Sequence, residues 1–433
     1  MASANIRYPA PFGDLPLLAY ISLQRGKKGM KTFKCRIEPN AVQKDAIDHM
    51  IDANRLVYNN MITASRIQYG KDRTLPTVFD LNKLATRMRH NNPYVAEAYS
   101  MTLNETSKRV FQACKKTLGE HKKEAEEFFL DTMRYVTHDR FPRYKSAVQF
   151  NSYSYPTDRD YSVVTRKDDS GKKRRFLRLG KVPDLIRCYN QSTKVKGELK
   201  TCTIKRKDMG SYCLYYACIS YEPEPEPPKE PMNGPVGIDV GVSNIVALSD
   251  GNIVGNDHIF HQFLQQLKSL QQRLSRLSPC TKAYGKMQTR VNHLYGKIHN
   301  HRRNIVETVS AMLVNNYQAI AMEDLSVMQI RSISKSRKMT NGYNDASLGI
   351  LRRRILDKAS SAGRGIVLVD PKGTSQSCSV CGKTVKKDLS VRVHECPYCG
   401  ITMDRDVNAA RNILFRSGLV PAPWVDRPPS SRA

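Results

Sequence analysis

Val236-Gly237-Ile238-Asp239-Val240-Gly241 is an apolar run carrying a single carboxylate. Asn244 to Leu248 follows, then the turn residues Asp250 and Gly251, then Asn252 to Val254. Short apolar runs divided by turn residues read as a β-meander, with Asp239 on its first strand. A carboxylate buried without a partner is costly. A salt bridge or a metal ion would satisfy it, and this stretch alone leaves both open.

Working outward, a helical region spans about 258–316, with many Lys, Arg, Gln and His residues. Tyr317 to Met322 is then an apolar strand ending on Glu323-Asp324-Leu325. A helix from Ser347 to Ala362 and a strand from Gly365 to Val369 follow, and Asp404-Arg405-Asp406-Val407-Asn408 opens a closing helix with Asp406 near its first turn. Asp239, Glu323 and Asp406 thus fall at strand ends and a helix start, 84 and 83 residues apart. Meander, helix, strand, helix–strand unit and closing helix is the order of the RNase H-like α/β fold, which gathers acidic residues at one edge of its sheet. Hard oxygen ligands from few carboxylates suit Mg2+, which keeps waters and completes its shell from phosphate. Two such ions can clamp the attacking and leaving oxygens of a phosphodiester displacement. Any one Asp would be weak evidence, because bland surface carboxylates are far commoner.

Cys378-Ser379-Val380-Cys381-Gly382 and Cys396-Pro397-Tyr398-Cys399-Gly400 form two C-x-x-C knuckles, with fourteen residues between Cys381 and Cys396. Each ends in Gly, which permits the tight turn that points both sulfurs inward. Four thiolates suit one structural, tetrahedral Zn2+ with no open position. Redox pairs and disulfides are the competing readings. His394 lies beside the cluster, but the four cysteines already fill the shell.

The chain has 433 residues, with 70 Lys and Arg against 40 Asp and Glu, a formal charge of +30. Such an excess repels itself unless a polyanion neutralises it, and nucleic acid is the natural partner. A ribosomal-type RNA binder or a merely basic protein would share this balance, and charge does not choose between DNA and RNA. No run approaches the ~18 apolar residues of a membrane helix. Leu15 to Leu23 contains Pro16 and lacks a small-residue cleavage site, so it is not read as a signal peptide. The seven cysteines outside the knuckles are scattered, as expected for buried thiols in a reducing compartment.

Residues 1–29 read as a loose extension and 31–37 as a strand. Pro39 and Asn40 open a helix in which Ala46, Ile47, Met50, Ile51, Leu56 and Val57 recur at helical spacing. A second helix covers Met101 to Phe129, with Leu103, Val110, Phe111, Cys114 and Leu118 on its apolar side. Its other side carries Lys108, Arg109, Lys115, Lys116, Lys122 and Lys123, a face that either meets phosphates or is only solvated. Short β-like runs follow at 152–155, 162–165, 176–179, 201–205 and 212–221, the last two joined in a hairpin by Asp208-Met209-Gly210. Phe141, Arg143, Tyr144, Lys145, Phe150, Tyr153 and Tyr155 interleave rings and cations. Such rings stack on bases, or fill the core of a small barrel; both can hold, since alternate strand residues face opposite ways. The proline-dense stretch Glu222 to Pro228 reads as a semi-rigid spacer and a domain boundary.

The runs TSQSCSVCG (374–382), CPYCG (396–400) and DRDVNAARNI (404–413) resemble the C-terminal signature of the TnpB proteins of insertion sequences. GIDVG (237–241) and MEDL (322–325) resemble that family's first two RuvC motifs, while PNAVQ (39–43), RLVYN (55–59) and FPRYK (141–145) agree more loosely. The resemblance covers roughly residues 30–414. It implies an RNA-guided DNA endonuclease with a RuvC-like, Mg2+-holding triad at Asp239, Glu323 and Asp406. The D-x-N-A-A pattern, shared with compact type V CRISPR effectors whose Asp carries the metal, selects Asp406 over Asp404. It also implies a guide RNA and a double-stranded DNA target beside a short motif, with base pairing reading the sequence.

The implied fold is multidomain α/β. A β-barrel wedge domain (30–45 and 141–222) holds an inserted helical recognition lobe (46–140). The 223–233 linker leads to an RNase H-like (RuvC) nuclease domain (234–372 and 401–420) with an inserted zinc ribbon (373–400), and 421–433 is a tail. Arg55, Arg143, Lys145, Lys115 and Lys116 are the candidate nucleic-acid contacts. The expected location is a prokaryotic cytoplasm, at the nucleoid when on DNA. The 1–29 extension departs from the family pattern, which leaves open a transposon protein or a CRISPR-associated relative. An RNA-guided protein that binds without cutting is the main alternative, and a DNA transposase a weaker one. The presence of all three carboxylates favours the enzyme.

Overall fold

The computed structural model describes residues 30–132, 141–167, 171, 173–189, 197–224, 230–279, 281–324, 347–386 and 391–420. The 1–29 extension, the 421–433 tail, residues 225–229 of the spacer, Cys280 and the side chains of Lys122 and Lys123 lie outside them. The chain divides into two compact units, one of residues 28–225 with 280–289, the other of 226–279 with 290–433.

The first unit begins with β1 (Lys31–Glu38) and then α1 (Ala41–Asp72), α2 (Val78–Asn91), α3 (Pro93–Ala96) and α4 (Ser100–Thr132). Asn40 opens α1 with a reciprocal cap: its side chain accepts from the Gln43 N–H, and the Gln43 side chain accepts from the Asn40 N–H. Six strands follow: β2 (Ser152–Tyr155), β3 (Tyr161–Lys167), β4 (Lys173–Leu179), β5 (Ile186–Cys188), β6 (Gly197–Asp208) and β7 (Cys213–Pro223). With β1 they form a seven-stranded sheet in the order β2-β6-β7-β1-β5-β4-β3, every neighbour antiparallel. Strand alternation sends Cys35, Ile37, Ile204 and Ala217 into a core shared with Ile47, Val57, Leu103 and Val110 of the helices.

Three details differ from the sequence reading. Arg109 does not lie on the solvent side of α4: it donates to the Ser152 carbonyl and the Ser154 hydroxyl, tying α4 to β2. Phe150, Tyr153 and Tyr155 are buried in the core, so they are not a stacking platform. Glu222 and Pro223 still pair with β6, so the strand runs into the stretch read as spacer. Pro223 lies past the end of β1's pairing and at the terminal pair with β6, so its missing N–H removes at most one donor at the ladder's end. The β6–β7 hairpin turns at Gly210, whose φ of 107° only glycine adopts without strain.

The second unit carries β8 (Val236–Asp239), β9 (Asn244–Leu248), β10 (Ile253–Gly255), α5 (Ile259–Ser275), α6 (Lys282–Asn316) from residue 290 onward, and β11 (Ala319–Glu323). Then come α7 (Leu348–Ala362), β12 (Gly365–Val369), β13 (Val393–Glu395), β14 (Thr402–Asp404) and α8 (Arg405–Arg416). The helical region read as 258–316 is thus two helices, broken around Ser278-Pro279. They pack through Leu267, Val291, Leu294 and Ile298. The five-stranded sheet runs β10-β9-β8-β11-β12, with the β8–β9–β10 meander antiparallel and β11 parallel to both β8 and β12. Val236, Ile238, Ile320 and Met322 face Leu313 of α6 and Leu351 and Ile355 of α7. The other face takes α8, with Ile413 against Ala321, Val367 and Val369. Gly237 lets α8 come this close: a Cβ there would lie 2.1 Å from the Ala410 carbonyl oxygen.

Candidate functional site

Strand alternation decides where the carboxylates point. Ile238 and Met322 enter the core against α6 and α7, so Asp239 and Glu323 lie on the face that α8 covers. In the parallel β8–β11 pair Ile238 lies beside Met322, and the next residues are Asp239 and Glu323. The two carboxylates therefore end neighbouring strands side by side. Asp406 joins them from the first turn of α8, 8% exposed. The three are close enough that burial first, then the negative charges of Glu323 and Asp406, push Asp239 up to about 8. Burial also raises Glu323, against a hydrogen bond from Thr374 and the charge of Arg416. A buried Asp239 pressed by two neighbouring carboxylates belongs to an oxygen donor set whose charge a divalent cation would offset.

Asp406 is held from several sides. Asn244 donates to its Oδ2 at 3.0 Å, Arg405 to its Oδ1 at 3.3 Å, and the Arg392 guanidinium lies 3.9 Å from Oδ2. Asp404 has a different job. Its Oδ1 accepts from the Asp406 and Val407 N–H groups at 2.8 and 3.2 Å, which makes it the N-cap of α8.

The four knuckle cysteines converge, their sulfurs all within 4.8 Å of one another. Cys378–Cys399 and Cys381–Cys396 are each 3.6 Å apart. Zn–S bonds of about 2.3 Å place the sulfurs of a regular tetrahedron about 3.8 Å apart, so this four-cysteine cluster fits a structural zinc ion. The cluster is braced by the β13–β14 hairpin, which leads directly into α8.

Residues 349–413 match the family model described as Cas12f1-like, TNB domain, residues 218–334 the one described as Probable transposase, and residues 30–73 one described as Helix-turn-helix domain. Over 30–73 the structure has a strand and one unbroken helix. The chain is 30% identical over 288 residues to InsQ of Escherichia coli (strain K12), which carries the name of an RNA-guided DNA endonuclease; the match covers 63% of this chain and 68% of that protein. The chain belongs to the TnpB family. A Streptomyces pristinaespiralis member with the same designation is 26% identical over 89% of this chain and 88% of its own. The CRISPR-associated endodeoxyribonuclease Cas12f1 of Sulfoacidibacillus thermotolerans is 30% identical over 46% of this chain and 50% of its own. At the level of fold, a Cas12f1 chain solved as a complex with sgRNA and target DNA superposes with a TM-score of 0.52 at 14% identity, covering 89% of this chain and 99% of that one.

Of the basic candidates in this TnpB chain, Lys115 and Lys116 are exposed on α4 and Arg143 is exposed before β2. Lys145 is half-buried, its backbone N–H and C=O both bonded to the Asn59 side chain. Arg55 is engaged within α1, with a guanidinium nitrogen 2.7 Å from Asp52. A cation–ring cluster that the sequence reading passed over lies on the outer face of the seven-stranded sheet. Lys34 sits 3.9 Å from the Tyr216 ring centroid, and Arg36 and Arg187 flank Tyr189. Alternation along β1 signals it, since Lys34 and Arg36 point opposite to Cys35 and Ile37. Also missed were Asn244, Thr374, Asn408 and Asn412. The last two asparagines are nearly fully buried on α8, four residues apart. A cavity of about 370 Å³ lined by Asp45, His49, Glu97 and Lys181 belongs to the first unit and holds none of the predicted residues.

Proposed function

We propose that this TnpB-family chain is an RNA-guided DNA endonuclease that cuts target DNA beside a short recognition motif, with Asp239, Glu323 and Asp406 as its cutting site. The observation that carries the reading is the meeting of these three carboxylates at one sheet edge, under a burial and repulsion that raise Asp239 to about 8. The strand order β10-β9-β8-β11-β12, with an antiparallel meander and parallel strands beyond it, supports reading this unit as an RNase H-like (RuvC) domain. Within the proposed organisation, residues 234–372 and 401–420 are that domain and 373–400 its zinc ribbon. The strands of 30–45 and 141–222 form the wedge, and 46–140 the recognition lobe. When bound, Mg2+ would polarise the scissile phosphate and supply a hydroxide-like nucleophile. Asp239, Glu323 and Asp406 would hold the ions against phosphate oxygens rather than bases, so sequence choice falls to the guide RNA. Asn244 and Arg405 orient the Asp406 carboxylate, and Arg392 adds positive charge where phosphate must approach.

The chain purified from its host is expected to carry an RNA, and with it to cut a DNA duplex matching that RNA's variable end, given Mg2+. Sequencing the RNA and mapping the cut test both halves. RNA with no matching cut site in any flanking context would favour the reading in which the protein binds without cutting.

The exposed Lys115 and Lys116 are proposed to face the RNA–DNA duplex backbone. Lys115→Glu with Lys116→Glu should weaken guide or target binding for every sequence alike, by about tenfold near physiological salt, with the gap closing as salt rises. Residual cutting should keep its position. Unchanged binding at low salt in a folded double variant would place the nucleic-acid path elsewhere.

A further inference from the structure

Asn408, Asn412 and Arg416 recur every four residues on α8, which puts them on one stripe of the helix. All three hold the same piece of chain, the stretch from the end of β12 to the first zinc knuckle. The Asn408 Oδ1 accepts from the Ser379 N–H at 2.9 Å and its Nδ2 donates to the Ser377 carbonyl at 2.8 Å. The Asn412 Nδ2 donates to the carbonyls of Thr374 and Ser377, at 2.8 and 2.6 Å. Arg416 donates to the Lys372 carbonyl at 2.6 Å. Ser379 adjoins Cys378, so one end of the clamped stretch is the zinc knuckle. At its middle the Thr374 hydroxyl, on a residue 2% exposed, donates to Glu323 Oε1 at 2.6 Å. The Pro371 carbonyl is a second acceptor at 3.0 Å, but one hydroxyl proton favours the nearer, charged oxygen.

We infer that Thr374 is a positioning residue for Glu323, and that Asn408 and Asn412 set its place by fixing the 374–379 stretch against the helix that carries Asp406. This rests on the proposed cutting site and deepens it. Asp406 and Glu323 come from elements far apart in sequence, and a metal ion needs their oxygens at a fixed separation. The β8–β11 register fixes Glu323 relative to Asp239. The path Asp406–α8–Asn412–Thr374–Glu323 closes the third side. The zinc knuckle, gripped by Asn408, braces that path.

The full chain with its guide RNA provides the test. Mn2+ binding by titration against EPR, zinc content, guide affinity and cutting rate would be measured for Thr374→Val, Thr374→Ser, Asn412→Ala and Glu323→Gln. Thr374→Val keeps the volume and removes only the donor. It should bind Mn2+ roughly 10- to 100-fold more weakly and cut correspondingly more slowly, the usual scale for groups that orient a metal's ligand. Its zinc content and guide affinity should be those of wild type, and Thr374→Ser should restore Mn2+ binding and cutting. Asn412→Ala should weaken Mn2+ binding as well, with Thr374 still present. Wild-type Mn2+ binding and cutting in Thr374→Val, with both lost in Glu323→Gln, would overturn the positioning role and leave the cutting site standing. Wild-type behaviour in Glu323→Gln too would overturn the cutting site itself.

Discussion

Asp239→Ala, Glu323→Ala and Asp406→Ala are each expected to abolish target cutting, by roughly 10³-fold or more, on the scale of removing a preorganised electrostatic group. Guide and target binding should stay near wild type, because a guided protein holds nucleic acid through backbone charge and base pairing. Asp404→Ala separates this from loss of fold. It removes the α8 cap, which costs about 1 kcal/mol, and leaves all three carboxylates in place, so cutting should fall only modestly. Normal cutting by Asp406→Ala would refute the assignment. The raised Asp239 offers a second, activity-free reading in chelated protein. An acid whose folded value is raised costs stability as pH climbs from its unfolded value of about 4 to its folded value of about 8. Asp239→Asn removes that cost. The chelated variant should therefore melt higher than chelated wild type at pH 9 and match it at pH 4. Equal melting at both would mean Asp239 ionises unhindered in the folded state.

Asp239 and Glu323 could be found in the sequence because each breaks an apolar strand, and alternation alone puts them on one face of the sheet. The choice between Asp404 and Asp406 could not be made that way, since two carboxylates two residues apart at a helix start are equally good caps and equally good ligands. It needed a family pattern. The structure supplies the physical difference: Asp404 spends its oxygen on two backbone N–H groups, while Asp406 turns toward Asn244 and Asp239. The strands β1, β2, β6 and β7 and the turn at Gly210 were legible from short-range pattern. Three-residue β5 was not, because it is held by pairing with β1, from the far end of its unit, and with β4 rather than by its own composition. Arg109 misled for the same reason. Helical spacing assigns it to a basic side, but the Ser152 carbonyl that captures it is set by tertiary packing. Thr374, Asn408 and Asn412 were written in the sequence but unreadable there, since nothing local says that a Thr beside a zinc knuckle meets a carboxylate 51 residues earlier.

Cys378→Ser or Cys399→Ser should take the protein from one zinc per chain to none, measured by elemental analysis, with reduced thermal stability and solubility. The magnitude follows from how little else organises the knuckles. Between Thr374 and Asp404 the described backbone has a hairpin of three-residue strands and an isolated bridge between Ser377 and Thr384. Cys378 and Cys396 are 0% and 4% exposed, so without an ion they bury thiols against thiols. Structural zinc contributes on the order of 10 kcal/mol to such small folds, far more than this hairpin's hydrogen bonds at about 1 kcal/mol each. The loss should also travel. Ser379 is bonded to Asn408 and Ser377 to both asparagines, so release of the knuckle frees the stretch that carries Thr374. Cutting should fall with zinc content even though no cysteine touches the carboxylates. Guide binding, proposed to run through the first unit with its separate core, should be largely kept. A zinc-free protein that melts and cuts like the wild type would show that the hairpin folds without the metal and that nothing passes from the knuckle to Glu323.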